Sequence, residues 1–267
     1  MEPYFNGKTA VVTGGASGIG AGIARALLEM GAVVYIADLK QENLDRTCEE
    51  LKEFAPRLHA VKVDVTQQPQ VQALVETAAR EQGSLDFMFN NAGVGMTVPI
   101  ERASLESWKF VMDLNLWGSL YGMLAALPVM REQGHGHIVN TASIAGLLPI
   151  PFQAPYCATK AAIISASESL RYELIDENIR FTCVCPSNVA TAIFASLGKI
   201  PEDAVTVDEA VKTILEGVAA NKNIIVLPEK TEKQYENFRL DPEAQDEYMI
   251  NLSRERHENY RTKGTYF

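Results

Sequence analysis

Three side chains in the middle of the sequence are spaced for acid–base chemistry. Tyr156 and Lys160 stand four apart in a segment of helical pattern, so they share one helix face and can meet over a common ligand. Ser143 follows a short apolar run upstream of them. A free tyrosine holds its proton until about pH 10, too high for an efficient base near neutrality. A nearby ammonium stabilises the phenolate and lowers that pKa, so Tyr156 can take a proton from an alcohol or return one to a carbonyl. The Ser143 hydroxyl can hydrogen-bond the reacting oxygen and stabilise charge developing on it. Singly, each residue has a plainer reading, a surface pair on a helix or a serine in a turn. Their weight comes from their order in the chain and from what precedes them.

The first apolar run leads straight into Thr13-Gly14-Gly15-Ala16-Ser17-Gly18-Ile19-Gly20, where a helical pattern begins. Glycines let such a turn adopt positive φ and let a backbone approach a ligand without Cβ collisions. The helix N-terminus beyond offers free N–H groups and a positive dipole end to a pyrophosphate. A glycine-rich loop alone is weak, but its position between a buried strand and a helix predicts a dinucleotide site. The next apolar run ends in Asp38, about twenty residues past the loop, where a carboxylate can accept from adenosine ribose hydroxyls and repel a 2′-phosphate. Ala16, Ser17 and Leu39 supply no positive charge, and Lys40 is the one cation close in sequence. NAD(H) is therefore expected over NADP(H), with hydride transfer belonging to the cofactor.

These residues need a scaffold that gathers strand ends. Short apolar runs at 9–13, 33–37, 59–62, 87–90, 137–141, 181–185 and 224–227 alternate with helical patterns at 19–30, 41–54, 68–81, 105–131, 156–176 and 208–220. Runs such as TAVVT and FTCVC are apolar without strict alternation, as strands covered on both faces must be. The alternation predicts right-handed βαβ units and an α/β fold, a doubly wound (Rossmann) parallel sheet of about seven strands with helices on both faces. No Pro/Gly/Ser-rich linker divides the chain, so 1–228 reads as one cofactor-binding and catalytic domain. Residues 229–267, with nine acidic and seven basic side chains, read as a charged, partly helical extension of it.

Composition narrows the function classes. The 267 residues are 47% hydrophobic, too apolar for a disordered chain. A net charge of −10 argues against nucleic acid, which needs a basic face. The apolar run 120–130 is interrupted by Gly122 and Pro128 and is too short to span a bilayer, and the N-terminus lacks a basic leader pattern. No membrane association is expected. Cys48, Cys157, Cys183 and Cys185 form no C-x-x-C, and Cys183 and Cys185 fall on one side of a strand, so a reduced, cytoplasmic protein is expected. His135 and His137 flank a glycine with no third ligand in sight, and no metal site is expected.

At this point the sequence resembles the single-domain short-chain dehydrogenase/reductase family. The loop resembles that family's T-G-x-x-x-G-x-G, Val63-Asp64-Val65 its adenine-contacting segment, and Asn90-Asn91-Ala92-Gly93 its N-N-A-G. Asn115, Ser143 and Tyr156-Cys157-Ala158-Thr159-Lys160 follow in the family's order, the last as Y-x-x-x-K. Pro186-Ser187-Asn188-Val189-Ala190-Thr191 resembles P-G-x-x-x-T, with Ser187 in place of the glycine. The resemblance implies catalytic roles for Asn115, Ser143, Tyr156 and Lys160, with Lys160 also on the nicotinamide ribose and Asn115 linking Lys160 to solvent. It implies cofactor contacts from Gly14, Ser17, Gly18, Ile19, Gly20, Asp38, Leu39, Asp64, Val65, Asn91, Ala92, Gly93, Tyr156, Lys160, Pro186, Val189 and Thr191. Ser143 and Tyr156 would bind substrate. Family members assemble as dimers or tetramers through two long helices, here 105–131 and 156–176, so a homotetramer or homodimer is expected.

The expected substrate walls, 94–96, 145–152 and 192–197, are apolar and hold no lysine or arginine, with Lys199 just beyond. A phosphorylated or carboxylate substrate would want a fixed cation there. The expected reaction is NAD-linked interconversion of an apolar secondary alcohol and its ketone, of steroid, terpenoid, aryl or medium-chain type. An NADPH-type 3-oxoacyl-thioester reductase and a non-catalytic NAD-binding sensor are the alternatives. The tail admits two readings: a solvated helix, or a segment that docks on a neighbouring subunit or covers the substrate site through its scattered aromatics.

Overall fold

The computed structural model describes residues 1–191 and 200–266. Seven strands form one parallel sheet in the order β3-β2-β1-β4-β5-β6-β7. They are β1 (Thr9–Thr13), β2 (Val33–Asp38), β3 (Leu58–Lys62), β4 (Phe87–Asn90), β5 (Gly136–Thr141), β6 (Ile179–Pro186) and β7 (Ile224–Leu227). The expected doubly wound α/β fold is thus the observed one. Every residue of β1 and β4 is buried, which explains their unbroken apolar character, whereas β3 at the edge is largely half-exposed.

Among the described residues the α-helices are α1 (Glu2–Phe5), α2 (Gly18–Glu29), α3 (Gln41–Glu50), α4 (Gln68–Gln82), α5 (Leu105–Val111), α6 (Gly118–Gln133), α7 (Ala154–Glu173), α8 (Val207–Ala219), α9 (Glu229–Leu240) and α10 (Pro242–Lys263). Ile23, Leu27, Ile214 and Val218 of α2 and α8 pack on one sheet face with Val12, Val34 and Val184. Val71, Leu74, Met123 and Leu127 of α4 and α6 pack on the other with Val11, Met88 and Ile138. The pattern at 41–54 stops at Glu50 and gives way to a tighter 3-10 turn, Lys52–Arg57, because Pro56 cannot continue an α-helix.

The predicted helix 105–131 is continuous in direction but not in hydrogen bonding. Between α5 and α6, Met112–Trp117 forms a π-helical segment. The rod Leu105–Gln133 is long and apolar enough to cross a membrane by length and composition, and half of its most apolar window is buried within the fold. At the amino ends of the central strands, α1 packs its Tyr4 and Phe5 against Phe87 and His137. Tyr4 Oη hydrogen-bonds His137 Nδ1 at 3.0 Å, and His137 Nε2 meets Thr182 Oγ1 at 2.9 Å. Burial, aided by Arg180 and Arg171, pushes the His137 imidazole down to about 3.

The tail folds back on its own chain. Phe238 of α9 and Met249 of α10 are buried with Ile144, Leu148, Ile163, Cys183 and Cys185. Asp241 caps α10, accepting from Ala244 N at 3.0 Å, with Pro242 opening the helix. The apolarity of Ile144 and Leu148 is therefore partly a packing requirement of the tail.

Candidate active site

In an open parallel sheet, ligands bind beyond the carboxyl ends of the strands, where the strand order reverses. Here that reversal falls between β1 and β4, so the glycine-rich loop, the Asn91–Gly93 turn, Ser143 and Pro186 all emerge at one edge. Thr13 joins the first two: its Oγ1 accepts from Asn91 N at 3.0 Å and Ala92 N at 3.1 Å. Asn91 Nδ2 donates to Thr13 O at 3.2 Å. Gly14 has φ +61°, and a Cβ there would lie 3.0 Å from Ala92 Cα. Only glycine suits that conformation and that gap.

Helix α2 starts at Gly18 with Ser17 as N-cap, and no side chain caps its first N–H groups. Gly18, Ile19 and Gly20 thus present an uncapped helix start beside Thr191, whose Cγ2 would be 3.2 Å from a Cβ on Gly18. This cradle fits a pyrophosphate. Asp38 ends β2, one carboxylate oxygen accepting from Lys40 N at 3.0 Å, and Leu39 beside it is 57% exposed. Arg46 is a cation the sequence reading passed over. From α3 its Nη2 reaches Ala16 O at 3.4 Å, while its Nε lies 4.0 Å from Glu50. Asp64 turns inward on its own loop, accepting from Thr66 N at 3.0 Å and Thr66 Oγ1 at 2.7 Å, and Val65 is buried against Gly118.

The acid–base group stands at the same edge. Ser143 caps the 3-10 turn Ile144–Gly146, and its Oγ donates to Pro186 O at 3.3 Å and accepts from Ala145 N at 3.2 Å. The Tyr156 side chain stands beside that of Ser143. Burial raises the phenol above its ordinary value, and the Ser143 side chain works against the rise. Lys160 Nζ lies 5.7 Å from the Tyr156 ring centre and donates to Thr141 O at 2.8 Å. Burial lowers the Lys160 ammonium to about 8, close to where a lysine can exchange its proton at physiological pH.

Two devices hold this helix against the sheet. A Cβ on Gly146 would lie 2.6 Å from the carbonyl carbon of Lys160, so glycine permits the Ser143 turn to sit on α7. Asn140 Nδ2 donates to Ser167 Oγ at 2.8 Å, and Asn90 Nδ2 to Asn140 Oδ1 at 2.8 Å, a buried polar ladder fixing α7 on β5. Asn115 lies in the π segment, fully buried. Its Oδ1 accepts from Val94 N and its Nδ2 donates to Val94 O, both at 2.9 Å. A Cβ on Gly93 would fall 3.0 Å from Asn115 Oδ1 and 3.6 Å from Lys160 Nζ, so Gly93 separates the two.

The third stretch is also tight. Pro186 ends β6, Ser187 N donates to Leu227 O at 2.8 Å, and Val189 is buried and bridged to Val205. Ser187 does not take a positive φ, so its Cβ does not strain the turn. The wall expected at 192–197 and Lys199 lie outside the described residues. Residues 147–152 run beside the site, and the tail brings a cation to them: Arg256 Nη1 donates to Pro151 O at 2.6 Å.

The arrangement of cradle, strand-end serine and Tyr–Lys helix agrees with comparison to known proteins. The short chain dehydrogenase family model matches residues 8–201. The chain belongs to that family. It is 37% identical over 194 residues to a 3beta-hydroxysteroid dehydrogenase 2 of Eggerthella lenta, covering 72% of this chain and 75% of the relative. An uncharacterized oxidoreductase of Staphylococcus aureus (strain USA300) is 34% identical over 219 residues, 82% of this chain and 94% of that one. A short chain dehydrogenase/reductase from Burkholderia phymatum, solved in complex with NAD, superposes with a TM-score of 0.77 at 28% identity, covering 96% of this chain and 95% of its own. As a member of this family the chain is an oxidoreductase with a nicotinamide-cofactor fold.

Proposed function

We propose that the chain is an NAD(H)-dependent dehydrogenase that interconverts an apolar secondary alcohol and its ketone. The observation that carries this is the gathering of Ser143, Tyr156 and buried Lys160, its Nζ 5.7 Å from the Tyr156 ring centre, at the strand edge that also presents the uncapped start of α2. The nicotinamide cofactor, when bound, supplies or accepts the hydride. Ser143 holds the reacting oxygen, Tyr156 moves its proton, and Lys160 supplies the positive charge that favours the phenolate. Gly14, Gly18, Ile19 and Gly20 would hold the pyrophosphate, Asp38 the adenosine ribose, and Asn91–Gly93 with Pro186, Val189 and Thr191 the nicotinamide half.

Asp38 favours NAD over its 2′-phosphorylated form. The apolar character of 147–152, with Leu147 and Ile150 only partly buried, supports an apolar substrate, and the name of the E. lenta relative points to the steroid class. We infer also a homodimer or homotetramer. Phe110, Trp117 and Leu124 recur every seven residues along α5–α6 and are 55%, 45% and 56% exposed, a stripe suited to a second copy. The four free cysteines fit a reducing, cytoplasmic setting.

The test is NAD reduction followed at the nicotinamide absorbance across a panel of secondary alcohols including 3β-hydroxysteroids. Turnover of apolar alcohols supports the reading, whereas clear preference for phosphorylated sugars or small hydroxy acids refutes it.

A further inference from the structure

The connection leading into α7 contains Phe152 at φ +65°, a conformation that a bulky side chain adopts only when its surroundings impose it. Those surroundings come from the far end of the chain. The Phe152 ring meets His257 edge-on at 4.8 Å and stacks on Tyr266 at 5.0 Å. Tyr266 lies flat on Tyr260, with centroids 4.6 Å apart and planes at 6°, and the Arg102 guanidinium sits 5.2 Å over Tyr260. One residue earlier, the Pro151 carbonyl takes its hydrogen bond from Arg256, which is only 8% exposed and, with Met249, is one of the two buried residues of this charged helix. On its other side the connection is tied to the strand-end loop: Val98 N donates to Phe152 O at 2.7 Å, and Gln153 Nε2 to Thr97 Oγ1 at 2.9 Å.

These contacts close a ring. The loop after β4 holds 152–153, those residues hold the aromatic stack, and the stack returns through Tyr260 to Arg102 in the same loop. A desolvated guanidinium stabilises little by itself, and its strength lies in fixing one geometry. That geometry belongs to the segment linking Ser143 to Tyr156.

We propose that α10 is a clamp on the substrate wall, with Arg256 and the Tyr260–Tyr266 stack as positioning residues that hold 147–152 against the site. The inference rests on the proposed function for the meaning of that wall. None of the clamp contacts reaches the glycine-rich loop or Asp38. Loosening the clamp therefore weakens substrate capture and leaves cofactor binding intact.

The experiment compares the full chain with Arg256→Ala, Arg256→Lys and Tyr266→Ala. Tyr266→Ala changes a residue at the chain end and keeps the test available where Arg256→Ala does not fold. The readouts are KM and kcat with 2-octanol and a 3β-hydroxysteroid, NADH affinity by fluorescence, and amide hydrogen exchange of 147–153. Expected in Arg256→Ala are a roughly tenfold rise in substrate KM, partial recovery in Arg256→Lys, and NADH affinity within about twofold of the parent. Exchange in 147–153 should rise about tenfold while 14–20 stays unchanged. Unchanged exchange in folded variants overturns the clamp, as does faster exchange with unmoved KM. If the parent oxidises neither alcohol, the proposed function is what fails, and the exchange data alone decide the clamp.

Discussion

Replacing Asp38 by alanine should change which cofactor the protein prefers. The carboxylate stands at the end of β2, oriented by Lys40 N at 3.0 Å, where a ribose edge would meet it. Losing a charged hydrogen bond to a ribose hydroxyl costs about 1.5–3 kcal/mol, weakening NADH by about 10- to 100-fold. A carboxylate about 5 Å from one charge of a 2′-phosphate repels it by about 3 kcal/mol at an effective dielectric of about 20. Asp38 is partly exposed, so solvent and salt reduce that figure. Arg46, held beside Ala16 O at 3.4 Å, remains to attract the phosphate once the carboxylate is gone. Together these give a shift of about 10²–10³ in the NADH/NADPH affinity ratio, toward NADPH. Titration of both cofactors by fluorescence, at one ionic strength, measures it. A ratio unchanged within about threefold would refute the assignment of this strand end to the ribose.

His137 provides a stability test. Its folded pKa is depressed to about 3 from an ordinary 6.5, so the unfolded chain binds the proton more readily. Its contribution is complete above about pH 6.5 and is lost as pH falls toward 3, up to about 5 kcal/mol in total. Urea unfolding between pH 7 and 4.5 should show stability falling, and an NMR titration of His137 with a midpoint near 6.5 would contradict the assignment. Gly146→Ala places a methyl 2.6 Å from the Lys160 carbonyl carbon and should cost about 1–3 kcal/mol while lowering kcat. Parental kcat and melting temperature would show that the Ser143 turn can move freely on α7. Trp117→Glu, in the exposed stripe of α5–α6, should shift the protein toward monomer in analytical ultracentrifugation, and an unchanged assembly would exclude this face as the interface.

The strands and the order of chemical groups were readable because buried parallel strands are apolar throughout and strand-end loops carry unusual residue types. That is why Gly14–Gly20, Ser143 and Tyr156–Lys160 stand out by residue type and spacing, whereas Asn91–Gly93 is picked out only by the family resemblance. What escaped is of another kind. The π segment Met112–Trp117 has the same apolar spacing as an α-helix, so nothing in its composition reveals the altered hydrogen bonding around Asn115. Arg46 reaches the loop from a helix face that reads as solvated. Arg256 meets Pro151 across 105 residues, a pairing that periodicity cannot show. The apolar run at 145–152 reads as substrate wall, and the structure divides it: Leu148 packs under the tail, while Leu147 and Ile150 remain at the surface of that cluster. The tail's aromatics, scattered in the sequence, gather in the structure: Tyr260 stacks on Tyr266, and Tyr266 on Phe152 of the same chain.

The most direct measurement of the central claim is the turnover of Tyr156→Phe beside its NADH affinity. The substitution removes the hydroxyl beside Ser143 and leaves the ring beside Lys160. The account predicts a fall in kcat of about 10³ or more with NADH affinity within about threefold of the parent. Residual kcat within about tenfold of the parent, in a variant that still binds NADH, would contradict Tyr156 as the group that moves the proton.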